Sequence, residues 1–382
     1  MGKGGGALNA PVRRAAPRAF VLCLIAALSA DRSAFADPVF LDAPRESDAA
    51  FRSPEALRAA LARDALSREV SAAMREAVAK RLARVPAGRR LLAGIAGELP
   101  PICFSDGRDV AVFSDRLEAV FVNCRYAREM PGAPASDCRA ALRWLLAEPK
   151  RIDELARRLD NTMAHELTHW RQHRLLGSGA GLPNDGRVTE MELEAKLVEN
   201  EYYLESAERD PALLRSSLPR WKQQTRELWL LSWAPSDYLD ATTKAYRSTT
   251  PGHATIPLSE ALSRPSLSDR DRERLERMKA YYDGALREAL ETRWKVRSPE
   301  GLLLFAGVAR RRCPRVARSM ADRALQSCAD PRPSPDLSRV CGDARRLSRG
   351  LAADAGEDPF CPRNSPTCNF RLADFQAVCL AP

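Results

Sequence analysis

His165-Glu166-Leu167-Thr168-His169 sits inside the stretch Ile152–Leu176, IDELARRLDNTMAHELTHWRQHRLL, and the reading of that stretch decides the fold. The run follows Pro149 and has helical patterning throughout. On a helix, residues i and i+4 lie one turn apart on one face. His165 and His169 can therefore each place an imidazole nitrogen about 2.0–2.1 Å from one Zn2+. Glu166 is offset by one residue, so its carboxylate faces the water that the metal activates, as general base and then general acid. The chain holds only four histidines in 382 residues, three of them between His165 and His173. With glutamate near ~7%, chance gives about 0.003 such motifs, which weighs against a surface helix with incidental histidines. His173 stands at i+8, about 12 Å along the axis from His165, and cannot share the same ion.

So few histidines send the search for a third ligand to carboxylates. A second helix is expected over about Thr189–Ala207, with Glu190, Glu192 and Glu194 as candidates. Helical angles put Glu190, Glu194 and Glu201 on one face and Glu192, Glu199 and Tyr203 on another, and do not choose between them.

The hexad Ala164–His169 (AHELTH) resembles the zincin metallopeptidases, in the form found in thermolysin-like gluzincins. The resemblance covers about residues 102–205: a β-region ending in the apolar strand Ala119–Val122, the HExxH helix and a Glu-rich second helix. It implies that this strand lines the substrate cleft, and that a glutamate of the second helix is the third ligand. Glu192-Leu193-Glu194-Ala195 looks like the ExEA segment of several gluzincin families, whose first Glu is the ligand, and so favours Glu192. Those families usually carry Asp four residues later; Lys196 is a departure. The metzincin branch needs a third histidine where this chain has Leu175. His253, Tyr202, Tyr203, Tyr238 and Tyr246 are candidate oxyanion donors. The activity implied is zinc-dependent hydrolysis of peptide bonds in a peptide or protein substrate. Lys196 supports an alternative, a catalytically weak zincin-scaffold binding protein. A periplasmic address would support another, a peptidoglycan peptide hydrolase.

That address comes from residues 1–36, which read as a signal peptide. Arg13, Arg14 and Arg18 precede the apolar stretch Ala19–Ala30, and Ala34-Phe35-Ala36 offers a cleavage pattern. The expectation is a secreted or periplasmic protein with no membrane span after signal removal. Removal takes five bases and one acid, so the net charge falls from +10 to +6. An excess that small, with acids interspersed, gives no nucleic-acid footprint. Export also predicts disulfides. The nine remaining cysteines contain no CxxC, and an odd count leaves one thiol over. Cys124 and Cys138 bracket a Pro/Gly/Ala loop suited to a disulfide clip. Cys103, ahead of the HExxH helix, is expected in a disulfide, with a thiolate cap on the zinc as the sharper alternative.

The fold class expected is α+β, mainly α-helical. A zincin-like core has a small antiparallel sheet beside the HExxH helix. The organisation expected is an N-terminal helical segment over 37–100, a metallopeptidase domain over 101–297 and a Cys-rich helical module over 298–382. Ser53-Pro54-Glu55, Ser298-Pro299-Glu300 and Ser334-Pro335-Asp336 read as helix starts. Residues 102–123 supply the β-rich runs. Trp221, Trp229 and Trp233 are expected to face a core, and 268–293 to form one charged helix.

Overall fold

The structure is a computed structural model that describes residues 53–106, 110–135, 137–179, 181–216, 218–247, 254–329, 335–351, 360 and 372–381. The expected signal peptide, His253, Cys361 and Cys368 lie outside the described residues. Helices dominate. The chain opens with α1 (Pro54–Arg63), α2 (Ala65–Leu82) and α3 (Pro86–Gly94). Ser53 caps α1, its Oγ accepting from the Ala56 N–H at 3.3 Å with Pro54 next, as its sequence predicts. Strands β1 (Ile102–Ser105), β2 (Ala111–Ser114) and β3 (Ala119–Asn123) follow, then α4 (Arg125–Arg128), α5 (Cys138–Leu146) and the long α6 (Pro149–Leu176). After a glycine-rich loop come α7 (Thr189–Arg209), α8 (Pro219–Trp233), α9 (Pro235–Arg247), α10 (Leu258–Leu262) and α11 (Asp269–Arg287). The chain ends with α12 (Lys295–Ala309), α13 (Pro314–Gln326), α14 (Pro335–Gly350) and α15 (Leu372–Val378).

The sheet is mixed, which corrects the antiparallel expectation. Its order is β1-β3-β2, with β3 parallel to β1 and antiparallel to β2. The reason is in β3: Ala119-Val120-Phe121-Val122-Asn123 is buried along its whole length. A strand apolar on both faces takes the central position. It follows that Ala119–Val122 has neighbours on both edges and offers none to a substrate; β2 is the edge strand that meets α6.

Helix α6 is held by its apolar stripe. Leu155, Leu159, Met163 and Leu167 pack with Val70, Met74, Val78 and Leu82 of α2 and with Val120 and Val122 of β3. Each such side chain contributes about 1.5–3 kcal/mol by leaving water. This frees the opposite stripe for polar groups. The helix stops at Gly177, whose φ of 80° favours glycine and whose N–H bonds to His173 O at 2.7 Å. The following loop folds tightly on itself: a Cβ on Gly179 would lie 2.2 Å from Asp185 O. That turn brings α7 back alongside α6, where the two helices share an extended contact.

A second apolar cluster joins Tyr203, Leu204, Trp221 and Trp229 to Phe305, Val316, Met320 and Phe375. Trp233 is only partly buried and stacks on Trp229, with ring centres 5.2 Å apart. The first cluster takes in residues on both sides of position 100, and the second on both sides of position 297. Ser298-Pro299-Glu300 does not start a helix. A π-helical segment, Glu288–Trp294, links α11 to α12, and Pro299 lies inside α12.

Disulfides join Cys124 to Cys138, Cys313 to Cys379 and Cys328 to Cys341. The first clips the loop as expected, and the other two staple the C-terminal helices. Among the described residues Cys103 is a free thiol, not a disulfide partner. It packs with Leu57, Leu117, Ala119 and Phe121, and burial pushes its pKa up to about 12. A protonated thiol in an apolar cluster is inert. The folded protein is therefore expected to leave Cys103 unmodified by iodoacetamide at pH 8, with full labelling after denaturation; mass mapping of the Cys103 peptide in both states checks this. None of the described helices is long and apolar enough to cross a membrane.

Candidate metal centre

The polar stripe of α6 carries His165, Glu166 and His169, all buried. Opposite it, α7 presents Glu192. Three atoms converge: His165 Nε2 and His169 Nε2 are 3.0 Å apart, and Glu192 Oε2 lies 3.4 Å from the first and 3.5 Å from the second. Ligand atoms around a tetrahedral zinc ion are about 3.3 Å apart. The three atoms have that spacing. Glu192 Oε2 is buried and receives no hydrogen bond from any of the described residues. A buried carboxylate oxygen without a donor, facing two imidazole nitrogens, fits a cation. His165, His169 and Glu192 thus form a group that could hold a metal ion.

Each imidazole has a partner behind it. His169 Nδ1–H donates to Gln172 Oε1 at 2.8 Å. The Gln172 amide cannot turn over, because its nitrogen donates to Glu194 Oε2 at 2.8 Å and to Met191 O at 3.0 Å. His165 Nδ1 lies 3.3 Å from Glu199 Oε2. These arrangements leave both Nε2 atoms for the metal. Glu166 is not one of the three converging groups: its Oε2 accepts from the Phe113 N–H of β2 at 2.8 Å.

The other glutamates that the sequence offered are committed. Glu190 accepts from the Leu258 N–H at 3.1 and 3.2 Å and caps α10. Glu194 accepts from Arg171 at 2.6 Å, from Gln172 and from the Tyr281 hydroxyl at 2.9 Å. His173 stacks on Trp170 and lies 3.6 Å from Glu118 Oε1, outside the group. Tyr202 donates to Asp160, Tyr203 pairs with Thr225, and the Tyr238 hydroxyl accepts from Asn200. Tyr246 is buried, and burial together with the charges of Glu192 and Glu199 pushes its phenol well above the usual range. Cys103 takes no part in the group.

Charge explains the protonation of the group. Burial disfavours a charged His165, but Glu192 and Glu199 outweigh it and hold the pKa up at about 10. His169 is raised in the same way, chiefly by Glu192 against burial. Burial raises Glu166, with His165 and His169 opposing. Burial also opposes the charge on Glu192, yet the two histidines keep it well below the usual carboxylate range.

The sequence reading missed Gln172 and the network behind Glu199. Lys196, the departure from the gluzincin pattern, pairs with Glu199 at 3.0 Å and with Glu227 at 3.1 Å. Arg220 reaches the other oxygen of Glu199 at 3.3 Å. A signal existed for Glu199, which stands seven residues after Glu192 on the same helical face. No such signal exists for Arg220 and Glu227, which come from α8. No protein-family model matches this chain, and no curated protein or solved structure is significantly similar to it.

Proposed function

We propose that the chain is a secreted or periplasmic zinc metallopeptidase of zincin type that hydrolyses peptide bonds. The observation that carries this reading is the convergence of His165 Nε2, His169 Nε2 and Glu192 Oε2 at tetrahedral spacing. Two imidazoles and one carboxylate are a donor set of catalytic zinc sites. Bound there, zinc supplies Lewis acidity: it acidifies water toward neutrality and polarises a carbonyl. The chain's own residues do the rest. Glu166, whose pKa burial raises in the metal-free chain, takes a proton and returns it to the leaving amine. The Phe113 N–H fixes the carboxylate, so the proton is held at a defined place. A peptide or protein is the substrate this chemistry requires. Glu199, paired with Lys196, supplies a carboxylate beside His165.

One observation favours a second reading, a metal-holding scaffold without turnover. His165, Glu166 and His169 are 3%, 4% and 8% exposed, a closure typical of structural sites. The experiment that separates the readings combines elemental analysis with hydrolysis. The peptidase reading expects one zinc per chain and cleavage of a diverse peptide library that o-phenanthroline stops and added zinc restores. One zinc with no cleavage of peptides or of purified cell walls selects the scaffold. Cleavage of cell-wall peptides alone selects the peptidoglycan hydrolase. Absence of any metal overturns all three.

A further inference from the structure

We infer that Glu199 is the positioning residue that orients His165 for the metal, with Lys196 and Arg220 holding the Glu199 carboxylate in place. The inference rests on the metal-site reading above and goes beyond it to residues that touch no metal. The two imidazoles have unlike partners: His169 meets the neutral amide of Gln172, and His165 meets a carboxylate. Glu199 is 2% exposed, so its charge is not a surface accident. Both of its oxygens are occupied. Oε1 faces Arg220 at 3.3 Å; Oε2 faces Lys196 at 3.0 Å and His165 Nδ1 at 3.3 Å. Arg220 is itself steered by Asn161, whose Oδ1 accepts from its Nε at 3.2 Å, and Lys196 by Glu227. The carboxylate is thus gripped from α7 and from α8, and only one direction is left for His165.

Geometry gives this grip a consequence. His165 Nδ1 has no other hydrogen-bond partner among the described residues. At 3.3 Å from Oε2 the contact is a charge contact rather than a linear hydrogen bond. Such a carboxylate selects the Nδ1–H tautomer, leaves Nε2 free and raises the ring's basicity as a ligand. Glu199 comes from two turns after Glu192 on the same face of α7, so one helix supplies both a metal ligand and the partner of another ligand. The lysine at position 196 then has a purpose: it lies 3.0 Å from Glu199 Oε2, the oxygen that faces His165, and offsets part of its charge.

The test compares zinc affinity in the full chain for wild type, Lys196→Met, Glu199→Gln and the double variant Lys196→Met/Glu199→Gln, by competition with a chromophoric chelator. The double variant removes a base and an acid together, so no uncompensated lysine charge remains to unfold the protein. Partners of this kind change metal affinity about 10–100-fold. The expected result is a loss in that range for both Glu199 variants and a smaller loss for Lys196→Met, in which Arg220 still holds the Glu199 carboxylate. Long-range 1H–15N spectra of the zinc-loaded chain give an independent readout. The His165 Nδ1 proton should be shifted downfield in wild type and in Lys196→Met, and lose that shift in the Glu199 variants. Equal zinc affinity in the double variant and in Lys196→Met, with an unchanged His165 proton, overturns the inference and leaves the metal site standing. A wild-type chain that binds no zinc overturns the metal-site reading, and this inference with it.

Discussion

Glu166→Gln should lower kcat/KM on any cleaved peptide by about 10²–10⁴-fold while one metal ion per chain remains bound. Glutamine keeps the shape of the side chain. Its amide oxygen can still accept from the Phe113 N–H, which in the native chain reaches Glu166 Oε2 at 2.8 Å. What is lost is the capacity to take a proton. The metal group is untouched, because it consists of His165, His169 and Glu192. In the metal-free chain burial raises the Glu166 pKa. Below its own pKa the carboxylate is protonated and cannot act as the base, so the native kcat/KM profile should fall on the acid side, and the glutamine variant should lose that limb. Steady-state kinetics with metal content measured on the same samples decide the matter. Full activity in the variant would remove Glu166 as the base. Loss of metal would show that the substitution acts on structure instead.

The site was more legible than the fold around it, for a physical reason. His165 and His169 are one turn apart on one helix, so their convergence is local and spacing alone reveals it. Glu192 comes from another helix, and its facing depends on how the Gly177–Arg187 loop returns the chain. Local angles could not choose between Glu190 and Glu192; the packing of α7 on α6 did, turning Glu190 to cap α10 and Glu194 toward Arg171 and Tyr281. The sheet shows the same limit. The strands of 102–123 were legible from composition, but their order was not, because the burial of β3 on both faces is a tertiary fact. Ser298-Pro299-Glu300 carried a local start signature that the π segment before it overrode. Cys103 had a default partner by compartment, and an apolar cluster took the thiol instead.

The three glutamates of α7 should separate cleanly on replacement by alanine. Glu192→Ala is expected to weaken zinc binding by more than about 100-fold, beyond what partners behind a ligand achieve, because Oε2 faces the metal itself. Glu190→Ala should leave zinc affinity unchanged and cost about 1–2 kcal/mol of stability, since it removes only the bonds to the Leu258 N–H. Glu194→Ala should fall between, with a loss within about tenfold, because it frees the Gln172 amide that holds His169. The pH dependence adds a second signature. Protons compete with zinc for ligand nitrogens. In the metal-free chain the His165 pKa stands at about 10, held there by Glu192 and Glu199 against burial. Apparent zinc affinity should therefore rise with pH through the neutral range and keep rising toward about pH 10. Removing Glu192 takes away one of the two carboxylates that hold the proton, so the histidines titrate lower and the rise in affinity should level off at lower pH. Chelator competition from pH 6 to pH 10 reads both effects at once. If Glu190→Ala or Glu194→Ala loses more affinity than Glu192→Ala, the third ligand has been assigned to the wrong carboxylate.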